Sequence, residues 1–268
     1  RGDLIAIAII GCNEVKRRHL VRAKTLSINE VCDSALNMCI EYNGLLARRG
    51  HEIAAFQQLL VDLSADSHQW DELVFSNIAE KDYQSLSLNR TNIQCADIEQ
   101  HGVWTVPLTR IIDIESILSR LSKNRRWQIR RSIKEYEKNG PLIIEAATTK
   151  TQAKHFFQAM GVYHTQRWKS IGKQGSFARD EWISFHQNLI DTAFDRGEIQ
   201  LLRIHCGNKD IGYIYNFLWR GSVLAIQSGF AYEESNLLRP GYVSHIMAMQ
   251  FNAALGANAP AGKPGFLF

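Results

Sequence analysis

The sequence is short of prolines, cysteines and net charge, and each shortage excludes something. Five prolines and 18 glycines in 268 residues, in no repeating pattern, rule out a collagen-like or Pro-rich disordered chain. The five cysteines, Cys12, Cys32, Cys39, Cys95 and Cys206, are odd in number, widely spaced and include no Cys-x-x-Cys pair, so no zinc framework or disulfide scaffold is expected. Reduced thiols in a cytoplasmic protein are the simplest reading, since an oxidising compartment would leave one thiol without a mate. Lys plus Arg 31 against Asp plus Glu 27 leaves a net charge of +4, which is small for a dedicated nucleic-acid binder.

Long apolar runs are missing as well. Residues 4–10 are apolar but far short of the about 20 residues that cross a bilayer, so no membrane span is expected. The run reads instead as a buried strand ending in a turn, with a further N-terminal region before it. No repeat of fixed period is present. A Gly-x-Ser-x-Gly elbow, a P-loop and a His-Glu-x-x-His pair are all lacking, which argues against an α/β-hydrolase, a P-loop NTPase and a zincin. No metal site is expected.

What is present is an ordinary globular composition, 45% hydrophobic and 22% charged. The length allows one large domain or two medium ones at about 150 residues each. Helical spacing covers 53–63, and a short strand is expected over 73–75. Residues 103–108 are extended, with a boundary near 107–113. Apolar residues recur at helical spacing over 114–139, stopped by Asn139-Gly140-Pro141. A strand over 142–146 and amphipathic helices over 151–168 and 180–194 follow. Three strands over 199–204, 211–219 and 223–230 form a meander with turns at Gly207-Asn208 and Arg220-Gly221. Pro240-Gly241 then opens a helix over 242–255. The expected fold class is α+β, with mostly antiparallel sheets flanked by helices.

Three constellations carry chemistry. Arg239-Pro240-Gly241-Tyr242 starts a helix, where a glycine lets backbone N–H groups approach an anion and the aligned peptide dipoles favour negative charge, as for a pyrophosphate; Pro and Gly also open ordinary helices. The basic stretch Ser122-Lys123-Asn124-Arg125-Arg126-Trp127-Gln128-Ile129-Arg130-Arg131 places Arg126 and Arg130 on one helix face, suited to phosphates or a polyanion; the alternative is a solvated face offset by Glu135 and Glu137. His164, Arg167 and Trp168 lie within about one helical turn, and a surface or capping histidine is the plain alternative for His164.

With Glu137-Lys138-Asn139-Gly140, His164-Thr165-Gln166-Arg167-Trp168, residues 172–177, Gly212-Tyr213-Ile214, Gly229-Phe230 and Arg239-Pro240-Gly241 in this order, the chain resembles the cellulose-biosynthesis-type acetyltransferases of the GNAT superfamily, relatives of the Fem peptidyltransferases. Ile40-Glu41-Tyr42-Asn43-Gly44-Leu45-Leu46 and Trp70-Asp71-Glu72-Leu73 resemble motifs of the same family's first half. The resemblance implies tandem GNAT-like units, an incomplete one over 1–109 and an acyltransferase unit over 110–268, with further sequence at both ends. It implies an N- or O-acyltransferase of polysaccharide biosynthesis, with acetyl-CoA or another acyl-CoA as co-substrate and a saccharide or small polar acceptor. Arg239, Gly241, Tyr242 and Val243 are implied at the pyrophosphate, His164 or Glu41 in proton transfer, and Tyr42, Asn43, Arg167, Trp168, Arg126 and Arg130 around the substrate. Of the family's Gln/Arg-x-x-Gly-x-Gly/Ala signature only Gly241 is matched, with Leu238 in first place and Val243 in sixth. An aminoacyl-tRNA donor, as in Fem-like transferases, and a non-catalytic binding module therefore stay open.

Overall fold

In this computed structural model the described residues are 3–18, 20–30, 40, 42–84, 91–95, 100 and 102–256, with the backbone of 265–267. They fall into two compact units, Arg1–Gln100 and His101–Phe268. In the first unit, β1 (Ala6–Ile7), β2 (Ile10–Arg17), β3 (Val21–Ile28) and β4 (Leu46–Ala47) precede α1 (Glu52–Ala65), β5 (Glu72–Val74) and α2 (Glu80–Gln84). β2, β3 and β5 form one sheet in that order, and β1 pairs with β4. Residues 4–10 are not the buried strand expected from their composition: Leu4 is 69% exposed and Ile9 73%. β1 is two residues long and, among the described residues, pairs with the two-residue β4 alone, so it is a short edge pair rather than a strand in the core.

The second unit runs β6 (Thr105–Pro107), α3 (Ile114–Leu118), α4 (Lys123–Glu137), β7 (Leu142–Ala146), α5 (Lys150–Ser170), α6 (Asp180–Ala193), β8 (Ile199–Cys206), β9 (Lys209–Trp219), β10 (Ser222–Phe230), α7 (Pro240–Gly256) and β11 (Gly265–Leu267). The expected single helix over 114–139 is two helices. Asp113 caps α3 by accepting from the Ser116 N–H at 2.7 Å, and Ser122, with extended backbone, caps α4. A Ser at the N-cap satisfies a donor that a continuous helix would have bonded internally, so the cap outweighs the apolar periodicity that runs across the break.

A six-stranded sheet, ordered β6-β11-β10-β9-β8-β7, carries this unit. Its pairs are antiparallel except β10–β11. The register Leu202↔Ile214 and Leu201↔Tyr215 sorts side chains between two faces, because successive residues of a strand point to opposite sides. Leu202, Ile204, Cys206, Ile214, Val223 and Phe230 form one core with Ile117, Leu118, Ile129, Tyr136, Val243 and Ile246, under α3, α4 and α7. The other face is aromatic. There Tyr213 meets Phe156 of α5, and Tyr215 meets Phe157 of α5 and His186 of α6.

On the α7 face a buried polar knot interrupts the aliphatic packing. Gln200 donates to Asn252 Oδ1 at 2.9 Å, and its Oε1 accepts from Asn216 at 2.8 Å and from Asn252 at 3.2 Å. On the aromatic face, α5 crosses β10 at Gly229, where a Cβ would stand 2.2 Å from the Met160 carbonyl oxygen.

Two substitutions test this account by urea denaturation. Gly229→Ala must push α5 off the strand and is expected to cost about 2 kcal/mol or more. Asn252→Ala leaves the buried Gln200 Nε2 without its acceptor and is expected to cost about 1–3 kcal/mol.

Candidate functional site

The site follows from an unfinished edge. β10 pairs with β9 from Ser222 to Phe230, but with β11 only from Ser222 to Leu224. A bulge falls between Ala225 and Gln227, at Ile226. From Ala225 to Phe230, no strand among the described residues lies on the far side of β10. The Ala231 N–H donates to the Ile211 carbonyl at 2.9 Å. Since alternate residues of a strand direct their N–H and C=O to opposite neighbours, Gly229 and Gln227 face β9, and Ser228 and Phe230 face the open edge. The Ser228 N–H donates there to Oε1 of its own neighbour Gln227, at 3.0 Å.

This edge leads to the start of α7. Arg239 caps the helix with its backbone: its carbonyl accepts from the Val243 N–H at 3.1 Å, and its N–H donates to Ser132 of α4 at 2.9 Å. Pro240 has no N–H, and those of Gly241 and Tyr242 find no acceptor within the first helical turn. A Cβ on Gly241 would make only ordinary contacts, 3.4 Å from Phe230 and 3.8 Å from the Tyr232 hydroxyl. The protein itself therefore does not require glycine there; the bare backbone leaves the N–H groups approachable. Two arginines flank the spot, Arg125 of α4 lying 5.0 Å over the ring of Tyr242 and Arg167 of α5 lying 4.8 Å over that of Tyr232. The Val243 side chain is fully buried in the core.

On the aromatic face, in α5, stands His164, 3% exposed. Burial pushes its imidazole down to about 4, so it is neutral at physiological pH. Its ring packs on Trp168 at 5.7 Å and Phe177 at 5.1 Å. A Cβ on Gly175 would stand 2.3 Å from His164 Cε1 and 2.7 Å from Trp168 Cδ1, so the backbone of the segment after α5 lies directly on both rings. Next to it, Ser176 accepts a hydrogen bond from Gln227 Nε2 at 3.4 Å. His164, Trp168, Ser176 and Gln227 thus share one neighbourhood, reached along the same edge as Gly241.

Other expected residues lie elsewhere or are engaged within the protein. Arg126 donates to the Leu121 carbonyl at 2.9 Å, past the end of α3. Arg130 grips Glu115 with two bonds, at 3.0 and 2.5 Å, and holds that carboxyl below its ordinary value. Tyr42 and Asn43 are in the first unit. Asn43 is buried, its Oδ1 accepting from Asn29 and from the Gly44 N–H and its Nδ2 donating to the Ile28 carbonyl. Glu41 lies outside the described residues. Cys206 is no nucleophile: its thiol donates to the carbonyls of Tyr136 and Gly140 at 2.8 and 2.9 Å, and burial pushes it up. Among the described residues there is no cluster of three or more metal-ligating side chains and no helix long and apolar enough to cross a membrane. Gln227 and Tyr232 were not singled out by the sequence. A glutamine inside a strand carries no signal until the bulge is known, and Tyr232 sits in a polar loop.

The family model described as acetyltransferase (GNAT) domain matches residues 123–259, from the start of α4 past the end of α7. The chain belongs to this acetyltransferase family. The edge of β10 and the start of α7 therefore lie within its GNAT domain. No curated protein matches the chain by sequence. Among solved structures, the C-terminal domain of a putative lysylphosphatidylglycerol synthetase from Agrobacterium fabrum is similar with a TM-score of 0.53 at 9% identity, over 98% of this chain and 67% of that one. FemX is similar with a TM-score of 0.53 at 11% identity, over 98% and 79%. L-PGS from Bacillus licheniformis is similar with a TM-score of 0.50 at 9% identity, over 92% and 66%. At these identities the likeness is one of fold, and the chain spans about two thirds of the two synthetase structures' length.

The buried imidazoles of this GNAT domain give it an acid limit. Burial holds His164, His186 and His245 each at about 4, from an ordinary 6.5. Below pH 6.5 the unfolded chain takes up protons that the folded one refuses, so stability falls as pH drops from about 6.5 toward 4. Scanning calorimetry across this range is expected to show that decline, and a shallower one in His164→Gln.

Proposed function

We propose that this chain is an acyl-CoA-dependent N- or O-acyltransferase acting on a sugar or other small polar acceptor. The observation that carries the reading is the open edge of β10, which leads from the Ile226 bulge toward the first turn of α7 and the N–H groups of Gly241 and Tyr242. On this reading the donor's pyrophosphate lies on the Gly241 and Tyr242 N–H groups, with Arg125, Arg167 and Arg239 around it. Its pantetheine arm follows residues 225–230 as an extra strand, and the acyl carbonyl reaches the bulge. Membership of the acetyltransferase family supports the reaction class. We extend it to the cellulose-biosynthesis branch and polysaccharide assembly on the motif order, and to a cytoplasmic site on the odd number of cysteines, and we take residues 1–109 as a second GNAT-like unit.

The chemistry asks little covalent work of the protein. The thioester is already activated, so alignment of a neutral amine or hydroxyl with its carbonyl is the main task. The acceptor's N or O bonds to the carbonyl carbon, the C–S bond breaks, and the thiolate leaves. His164 is uncharged and can accept a hydrogen bond from the attacking group, with Trp168 beside it as an apolar wall. An imidazole at about 4 holds a proton poorly at neutral pH, far from the optimum for a general base, so the acceptor's proton ends on the departing thiolate. Isothermal titration with acetyl-CoA tests the reading. Binding that Gly241→Asp abolishes is expected, and a folded sample that binds none would overturn it.

A second reading has its own support. Lys123, Arg125, Arg131 and Lys134 of α4 have no acidic partner among the described residues, and FemX and the lysylphosphatidylglycerol synthetase domain share the fold. An aminoacyl-tRNA donor would use this face. Its binding would weaken steeply with salt, by about 0.7–0.9 powers of ten per tenfold salt for each phosphate contacted. Binding of deacylated tRNA at low salt, lost on reversing Arg125 and Arg131 to Glu, would favour it over the first reading.

A further inference from the structure

The Ser228 N–H lies on the edge where a donor arm would pair, and it already has an acceptor. Gln227 Oε1 takes it at 3.0 Å, while Nε2 of the same carboxamide donates to Ser176 Oγ at 3.4 Å. One backbone N–H serves one acceptor well, so the carboxamide and any carbonyl laid along this edge compete for it. Ser176 directly follows Gly175, whose backbone lies on His164 and Trp168. Other backbone bonds of the segment 171–178 are local: Gly172 donates to Lys169, Lys173 to Trp168 and Ala178 to Gly175. Gly172 is in the left-handed region, at φ +70°. Among the described residues Gln227 is the hydrogen-bonded link between the bulged edge and the strap that covers the imidazole, while Phe177 of the strap packs on Phe157 of α5 and Trp182 of α6.

We infer that Gln227 is a positioning residue that couples the two halves of the site: a donor carbonyl on the Ser228 N–H displaces its carboxamide, and that displacement releases Ser176 and loosens the strap over His164. This rests on the acyl-CoA reading above. The strap keeps the buried imidazole covered until the activated acyl group is in place. No bond is made or broken by Gln227 itself; hydrogen bonds are exchanged.

The coupling makes a directional prediction that a merely structural glutamine would not. Hydrogen–deuterium exchange of the whole chain, with acetyl-CoA as the probe, is expected to show protection at 240–243 together with faster exchange at 172–178, by about fivefold or more. Ser176→Ala is expected to exchange fast at 172–178 without ligand and to keep acetyl-CoA affinity within about twofold. Gln227→Met removes the internal competitor and leaves the Ser228 N–H open, so it is expected to bind acetyl-CoA up to about tenfold more tightly and to show no further strap response. Acetyl-CoA that binds the wild-type protein without accelerating 172–178, or a folded Gln227→Met that binds it no tighter, overturns the coupling and leaves the acyltransferase reading standing. A folded wild-type protein that does not bind acetyl-CoA overturns both. Should Gln227→Met fail to fold, the Ser176→Ala exchange pattern decides alone.

Discussion

Where α5 crosses β10, two backbones meet with no side chain between them, and the second unit is arranged around that contact. Gly229 supplies the strand side and the Met160 carbonyl the helix side. Because α5 sits this low on the sheet, the residue one turn beyond Met160 is brought down under the backbone of Gly175. That residue is His164, and its burial follows from the height of the helix rather than from any partner of its own. The same approach explains the aromatic face: a helix held at backbone distance over Gly229 leaves a wedge toward β8 and α6, which Phe157, Trp182, His186 and Tyr215 fill.

Positive charge is divided in a comparable way. The long basic helix looks uniform in sequence, yet its members do different things. Arg126 serves the carbonyl at Leu121 and Arg130 serves Glu115. Arg125 and Arg131 instead lie over aromatic rings, those of Tyr242 and Trp127. An arginine on a ring keeps its donors available at the ring's edge, because the attraction acts through the face of the guanidinium. Charge near the start of α7 is thus held in place without being neutralised.

Much of this fold was legible in the residues. The helices α5, α6 and α7 and the meander β8–β10 follow from periodicity and from turn residues, with bounds within a few positions of those expected. The break between α3 and α4 was hidden because apolar spacing runs through it and only Ser122 marks the cap. Exposure of residues 4–10 was hidden for a different reason: composition reports what a segment is made of, whereas burial depends on what is laid against it. Within the site, Gly241 and His164 announced themselves by position, while Gln227 did not. Its importance comes from a one-residue slip in pairing at Ile226, and such a slip leaves no mark in the local sequence.

The order of strands adds a point about how the unit is assembled. β6 and β11 are neighbours in the sheet, with Val106 paired to Phe266, so the first strand of the unit is held by its last. The pairings among β7, β8, β9 and β10 join segments nearer in sequence and can form without them. Contacts between distant segments come late in folding, since the loop they close is long. The strand that stops pairing with β10 at Leu224, and so leaves the rest of the edge open, is this same last arrival. A folding intermediate lacking it would keep the helices and the meander but would present β10 as a bare edge from end to end, the state in which this chain is most exposed to pairing with another copy of itself.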